Sequence, residues 1–255
     1  MNVLVCIKRV PDVGAKITLT PDAQDLDTHL LGFTVSPHEE CAIEEAVRIV
    51  ELRGGTVSVL TLGPPDAAEQ LRDAAAIGAG RLLLLETDGR EWGPMATAGA
   101  IVEAVRSYES TSGPYELILF GNEAADTGDY QVAVRVAHAL NRPCVTGVKH
   151  LQISEATLRA RREFRGGDEY FELALPAVVS VKEGINLPRY PSLPGRMRAK
   201  KAVIEQTTPE WQKDPVHKQA LRDPIVERQR AEILGEGVEA VPALLGLLEQ
   251  LGVFS

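Results

Sequence analysis

Cysteine, histidine and the aromatics are scarce in this 255-residue chain, the aromatics making up only 5% of it. The three cysteines, Cys6, Cys41 and Cys144, are odd in number and far apart, with no C-x-x-C pair. That excludes a disulfide frame and a zinc ribbon, and it fits a reducing, cytoplasmic setting. The five histidines form no H-E-x-x-H helix, and there is no G-x-S-x-G elbow. His38-Glu39-Glu40-Cys41 contains metal-ligand types, but at the spacing of a helix's first turn, so no metal is expected there. No catalytic constellation emerges. Apolar runs such as Leu82 to Leu85 fall far short of the roughly 20 residues that cross a bilayer, so no direct membrane insertion is expected. The short apolar N-terminus is followed, not preceded, by its lysine, which is not the order of a secretory signal. Basic residues number 27 against 36 acids, a net charge of −9 that argues against a chain coating nucleic acid.

What remains is 44% hydrophobic and 25% charged, the proportions of a soluble globular protein. A chain of this length buries roughly three quarters of its unfolded surface, enough for one large α/β domain with an appendage. Short runs rich in Val, Leu and Ile at residues 3–7, 56–62, 82–85 and 117–120 read as buried parallel strands. Helices read between them. Ser36-Pro37-His38-Glu39 is an N-cap, a proline at the first helical position and a capping-box glutamate, opening a helix to about Arg53 that Gly54-Gly55 stops. Others are expected at about 67–77, 93–108 and 131–140. Alternation of this kind predicts right-handed crossovers and a doubly wound, mostly parallel sheet, Rossmann-like in class.

After Val145 the pattern changes. Residues 157–164 and 169–175 flank Arg165-Gly-Gly-Asp168 and predict an antiparallel hairpin, and 177–181 returns as a strand. From Glu183 to about Pro224 there are six prolines and little periodicity, the pattern of a functional loop or linker. Val238, Val241, Leu244, Leu245, Leu248 and Leu251 then recur at helical spacing, an apolar stripe that must dock. The expected division is an α/β domain at residues 1–182 and an arm at 183–255.

No P-loop and no G-x-G-x-x-G lies between a strand and a helix. Ligands in open α/β sheets nevertheless bind beyond the strands' carboxyl ends. Three such places stand out: Cys6-Ile-Lys8-Arg9 after the first strand, the capped start at Ser36 to Glu39, and the loop Gly121-Asn-Glu-Ala-Ala-Asp126-Thr-Gly-Asp129-Tyr-Gln131 feeding a helix whose free N–H groups favour an anion. Between Lys182 and Lys201 six basic residues stand against Glu183 alone, a local charge of +5 that suits an acidic docking partner.

Several segments resemble the β subunit of electron transfer flavoprotein, in order and spacing, along nearly the whole chain. They are Val3-Leu-Val-Cys-Ile-Lys-Arg-Val-Pro11, Ser36-Pro-His-Glu-Glu-Cys-Ala-Ile-Glu-Glu-Ala-Val47, Leu62-Gly-Pro64, Ala76-Ile-Gly-Ala79, Leu175-Pro-Ala-Val-Val179, Asn186-Leu-Pro-Arg-Tyr190, Leu193-Pro194 and Ala199-Lys-Lys201. The resemblance implies an electron carrier without catalytic residues of its own. It implies a heterodimer with an α subunit holding FAD, with acyl-CoA or related dehydrogenases as donors and a quinone oxidoreductase as acceptor. The β subunit of such a pair holds AMP, or a second FAD where electrons are bifurcated.

Carried over by position, the nucleotide site would comprise Cys6, Ser36, Pro37, His38, Glu39, Leu62, Asp126, Thr127, Gly128, Asp129, Tyr130, Gln131, Val132 and Ala133. The partner-recognition segment would comprise Arg189, Tyr190, Leu193, Pro194, Arg196, Met197, Arg198, Lys200 and Lys201, with Leu193 as its apolar anchor. Ser36 stands where the family usually has asparagine, and His38-Glu39 where the AMP branch has Phe-Cys; the Asp126 to Gln131 loop matches neither branch's pattern cleanly, with Gln131-Val132 leaning toward the second-FAD pattern. Two other classes compete. One is a stand-alone domain that hydrolyses or senses ATP; the other is a nucleic-acid binder using Arg159, Arg161, Arg162 and the Lys182 to Lys201 stretch, disfavoured by the acidic total and scarce aromatics.

Overall fold

The computed structural model describes residues 1–12, 14, 16–223 and 233–253. In chain order the strands and helices are β1 (Asn2–Ile7), β2 (Val10–Pro11), β3 (Phe33–Thr34), α1 (Pro37–Arg53), β4 (Thr56–Gly63), α2 (Ala68–Ile77), β5 (Arg81–Glu86), α3 (Pro94–Ser112), β6 (Leu117–Gly121) and α4 (Val132–Ala139). They continue with β7 (Cys144–Val148), β8 (His150–Ser154), β9 (Thr157–Phe164), β10 (Gly167–Ala174), β11 (Ala177–Val181), α5 (Leu193–Ala199), β12 (Ile204–Thr207) and α6 (Val241–Gln250).

Seven strands form one sheet in the order β12-β5-β4-β1-β6-β11-β7, every neighbouring pair parallel. β1 lies at its centre, with Cys6 beside Leu60 on one side and Phe120 on the other. The pleat sends successive side chains to opposite faces. Val3, Val5 and Ile7 join α1 and α2 in one apolar core, whereas Leu4 and Cys6 join α3 and α4 in a second. The sheet is therefore covered on both faces, as near-continuous apolar strands require.

α1 begins as the sequence predicts. The Ser36 hydroxyl accepts the Glu39 N–H at 3.3 Å, and the Glu39 carboxylate accepts the Ser36 N–H at 3.1 Å, a complete capping box. The predicted hairpin is β9–β10, closed by Arg165 (φ 45°) and Gly166 (φ 78°), two positive-φ residues as a tight hairpin turn of this hand demands.

The structure departs from the sequence reading after Cys144. β7 and β8 were not anticipated; β8 turns the hairpin into a three-stranded antiparallel sheet, with Leu151, Leu158 and Ala160 packed into the core on the α1 side. The segment read as an aperiodic linker contains a helix, α5, and an edge strand, β12, which pairs with β5 from Ile204 to Thr207. Both elements are too short to show a period. Residues 224–232, including Pro224 of that predicted linker, lie outside the described residues. The chain divides into two compact units, the first ending at Gln219 and the second beginning at Ala220. The second contains α6, none of whose residues is buried.

Candidate functional site

Strand order reverses at β1, which connects onward to β4 on one side while β6 lies on the other. The crevice at the carboxyl ends of β1 and β6 is therefore the switch point at which open α/β sheets hold their ligands. A cavity of about 300 Å³ opens there. Leu60, Leu62, Ile101 and Phe120 give it apolar walls; Lys8, Arg9, Asn122 and Glu123 supply polar groups.

Of the residues predicted for the nucleotide site, the structure brings Cys6, Glu39, Leu62, Asp129, Tyr130, Val132 and Ala133 together at this cavity. The others stand outside its lining. Ser36 is buried as the cap of α1, and Pro37 is its exposed first residue. The His38 ring accepts the Glu183 N–H through Nδ1 at 2.7 Å, while its Nε2 lies 3.6 Å from a Glu123 oxygen. Asp126, Thr127, Gly128 and Gln131 occupy the exposed outer part of the loop. Asp126 is nevertheless tied to the cavity, because its carboxylate pairs with the Lys8 ammonium at 2.7 Å.

Thr87, Arg90 and Trp92 line the cavity from outside any sequence motif, whereas Lys8, Arg9, Gly63 and Asn122 line it from segments that the sequence marks without giving them a role. Lys8, Gly63 and Asn122 directly follow or end strands, so reading past each strand end finds them. The loop carrying Thr87, Arg90 and Trp92 has no motif to betray it.

Glu39 is the electrostatic centre of the floor, 6% exposed. One carboxylate oxygen accepts the Lys8 N–H at 2.9 Å and the other the Ser36 N–H at 3.1 Å. Burial pushes its carboxyl up to about 8, the two backbone donors pulling in the opposite direction. The group is thus turned into its own helix start, away from a role as a free acid in the cavity. Its bulk requires a glycine opposite, since a Cβ at Gly121 would stand 2.7 Å from Glu39 Cγ. Burial also pushes the Cys6 thiol up, with Glu39 adding to the effect, so Cys6 acts as a small apolar wall. The Arg9 guanidinium lies 3.4 Å over the Phe33 ring, and burial lowers its pKa.

Besides the capped start of α1, two helix N-termini approach the cavity, and they differ. At α3 the Asp214 carboxylate accepts the N–H groups of Met95 (2.9 Å) and Ala96 (3.3 Å). The Trp211 indole N–H donates to the Glu91 carbonyl at 3.0 Å, and Arg90 stacks over the Trp211 ring. The anion position of α3 is thereby filled from within the chain. At α4 no side chain caps the helix, whose first residues Val132 and Ala133 line the cavity. That end is the one available to an anionic ligand.

The predicted partner segment lies elsewhere on the first unit. α5 turns Gly195 and Ala199 inward. A Cβ at Gly195 would collide with the Ala76 carbonyl of α2, which holds the helix close. Outward stand Leu193 (73% exposed), Met197 and, just before the helix, Tyr190 (95% exposed). Pro194, Arg196, Arg198, Lys200 and Lys201 are exposed around them. Arg189 differs, because its guanidinium is bonded to Glu44 and Glu51 of α1.

Fold and cavity together define a doubly wound α/β protein with a ligand-sized cavity at the switch point of its sheet. Residues 25–210 match the model of the electron transfer flavoprotein domain. The chain is 36% identical over 209 residues to the electron transfer flavoprotein subunit beta of Bacillus subtilis, covering 81% of this chain and 78% of that one. It is 33% identical over 258 residues to the subunit beta of Thermoanaerobacterium thermosaccharolyticum, covering 96% of each. It is also 34% identical over 211 residues to a mitochondrial subunit beta of rice, Oryza sativa subsp. indica, covering 82% and 83%. The chain belongs to the electron transfer flavoprotein family, as a β subunit. Among the described residues no helix is long and apolar enough to cross a membrane, and no group of three or more His, Cys, Asp or Glu side chains is placed to hold a metal.

Proposed function

We propose that this chain pairs with an α subunit as a heterodimeric electron carrier. The pair holds FAD, accepts electrons from dehydrogenases such as acyl-CoA dehydrogenases, and delivers them to an acceptor such as a quinone oxidoreductase. When bound, the FAD supplies the redox chemistry. This chain contributes a wall, a second nucleotide and a docking surface.

The observation that carries this reading is the cavity at the switch point, in a chain of this family. At about 300 Å³ it stands at the lower end of small-molecule sites, roughly 300–1,000 Å³. That volume suits a mononucleotide, AMP, better than a second FAD. The uncapped start of α4 at Val132 and Ala133 would receive the phosphate; Leu62 and Phe120 would bound the less polar portion. Glu39 is compatible with a phosphate nearby because both its oxygens are occupied by backbone donors.

The exposed Leu193, Met197 and Tyr190 within a basic surround suit a transient docking site. An apolar anchor gives a small contact, and the charge speeds encounter with an acidic partner. The apolar stripe of α6 is the part of the C-terminal arm, residues 183–255, that would dock on the α subunit. The test is anaerobic mixing of the co-expressed heterodimer with a substrate-reduced acyl-CoA dehydrogenase. Bleaching of the heterodimer's flavin is expected, slowed in Leu193→Ala at unchanged flavin content. Absence of any flavin reduction, or normal transfer in Leu193→Ala, would overturn the carrier role or the docking assignment respectively.

A further inference from the structure

The segment that leads into α5 is fastened along one face of α1. Glu183 donates its N–H to His38 Nδ1. The Asn186 amide donates to the Cys41 carbonyl at 3.0 Å and to the Glu45 carboxylate at 2.9 Å. Arg189 makes the strongest attachment. Its Nε lies 2.9 Å from one Glu44 oxygen and its Nη2 3.0 Å from the other. Nη1 and Nη2 meet the two Glu51 oxygens at 2.6 and 2.9 Å, and the Arg189 backbone N–H also reaches Glu44 at 3.2 Å. His38, Cys41 and Glu45 stand three and four residues apart, and Glu44 and Glu51 stand seven apart, so the segment runs along two adjacent rows of α1.

Guanidinium has five N–H donors in a rigid fork, and here the two carboxylates engage four of them. Little is left for a carboxylate on another protein. Glu44 is also nearly buried, its side chain 6% exposed, so Arg189 is the hydrogen-bonded partner that a carboxylate placed there requires. One residue further on, Tyr190 is 95% exposed, and Leu193 follows at 73%. The polypeptide therefore passes from a clamped residue to projecting apolar ones within four positions.

From this we propose that Arg189 is a positioning residue: it clamps the 186–192 segment to Glu44 and Glu51 so that Leu193 is presented in a fixed attitude, and it does not itself bind the electron donor. This replaces the sequence expectation of Arg189 as a partner contact, and it rests on the docking reading of Leu193. Preorganisation of this kind saves the cost of ordering the segment on each encounter. Lysine cannot reproduce it, being a point charge without the fork.

The test uses the FAD-loaded heterodimer in five forms: Arg189→Ala, Arg189→Lys, Glu51→Gln, Glu44→Gln with Glu51→Gln, and Arg189→Ala combined with both carboxylate changes. Flavin reduction is followed against dehydrogenase concentration, with dithionite reduction as a control independent of docking. Arg189→Ala and the double carboxylate variant are expected to raise KM on the order of tenfold at unchanged kcat. Arg189→Lys should not rescue. Combining Arg189→Ala with the carboxylate changes should do no more than either alone, since all remove the same clamp.

A wild-type KM in the carboxylate variants beside an impaired Arg189→Ala, additive effects, or rescue by lysine would each show direct partner contact and overturn the proposal. Glu51→Gln, at an exposed carboxylate, keeps the test available if the change at buried Glu44 prevents folding; it should raise KM in the same direction, and a wild-type KM counts against the clamp. Amide hydrogen exchange over residues 186–192 reads the clamp without any partner, and faster exchange in Arg189→Ala is expected. Unchanged exchange there refutes the clamp, whereas normal transfer in Leu193→Ala refutes the docking reading instead.

Discussion

Substituting Gly121 by alanine tests how tightly the floor of the cavity is built. An alanine Cβ would stand 2.7 Å from Glu39 Cγ, and 3.3 Å from both Glu39 N and His38 Cβ. Carbon atoms in contact ordinarily stand about 3.5–4.0 Å apart, so the overlap with Cγ is on the order of 1 Å. Glu39 cannot swing aside freely, because its two oxygens are bonded to the N–H groups of Lys8 and Ser36. Relief must come from moving α1 against β6 or from breaking those bonds. Overpacking of this kind costs about 1–3 kcal/mol. In a unit of this size each kcal/mol lowers Tm by about 2–4 °C, so a loss of roughly 2–12 °C is expected by circular dichroism. In a Glu39→Ala background Cγ is gone, and Gly121→Ala should then cost less than it does alone. A cost below about 0.5 kcal/mol, or full additivity of the two changes, would refute the close approach of α1 to β6.

Other expectations concern the same region. Ser36→Ala removes the hydroxyl that caps α1 and should cost about 0.5–2 kcal/mol in urea unfolding; a neutral result would contradict the capping role. The folded chain retains the Glu39 proton up to about pH 8, whereas the unfolded chain releases it near its ordinary value of 4.5. The unfolded state then binds fewer protons across that window, so this group's contribution to stability is lost as pH rises through it. Glu39→Gln should flatten the slope of stability against pH, and an unaltered slope would show that Glu39 is ionised throughout. Asp214→Ala frees the start of α3 and should red-shift the Trp211 emission as that residue leaves Arg90 and the Glu91 carbonyl; an unshifted spectrum would count against Asp214 as the group that holds Trp211 there.

The central elements were legible in the sequence because each carries its own signal. Ser36 and Glu39 announce α1 through cap chemistry, and the strands around β1 announce themselves as short aliphatic runs between helical patterns. β8 and β12 are five and four residues long, too short for alternation to register, and their pairing depends on β9 and β5, distant in the chain for β12. α5 holds seven residues with a proline at its start, so neither period nor propensity marks it.

At the site, residues at strand ends could be anticipated, since the topology dictates where strands stop. Trp92 and Arg90 could not, because they reach the cavity through a loop with no motif, held by Trp211 and Asp214 from far along the chain. Arg189 is the converse case: the sequence shows a basic residue in a basic segment, and only the fold shows its guanidinium paired with Glu44 and Glu51 on α1.

The most direct test of the account is to co-express the chain with its α partner, purify the complex, release the bound nucleotides and identify and count them by chromatography. The account predicts one FAD and one AMP per heterodimer. Two FAD would contradict the argument from cavity volume, and a flavin-free chain that stays alone and turns over ATP would contradict the carrier role itself.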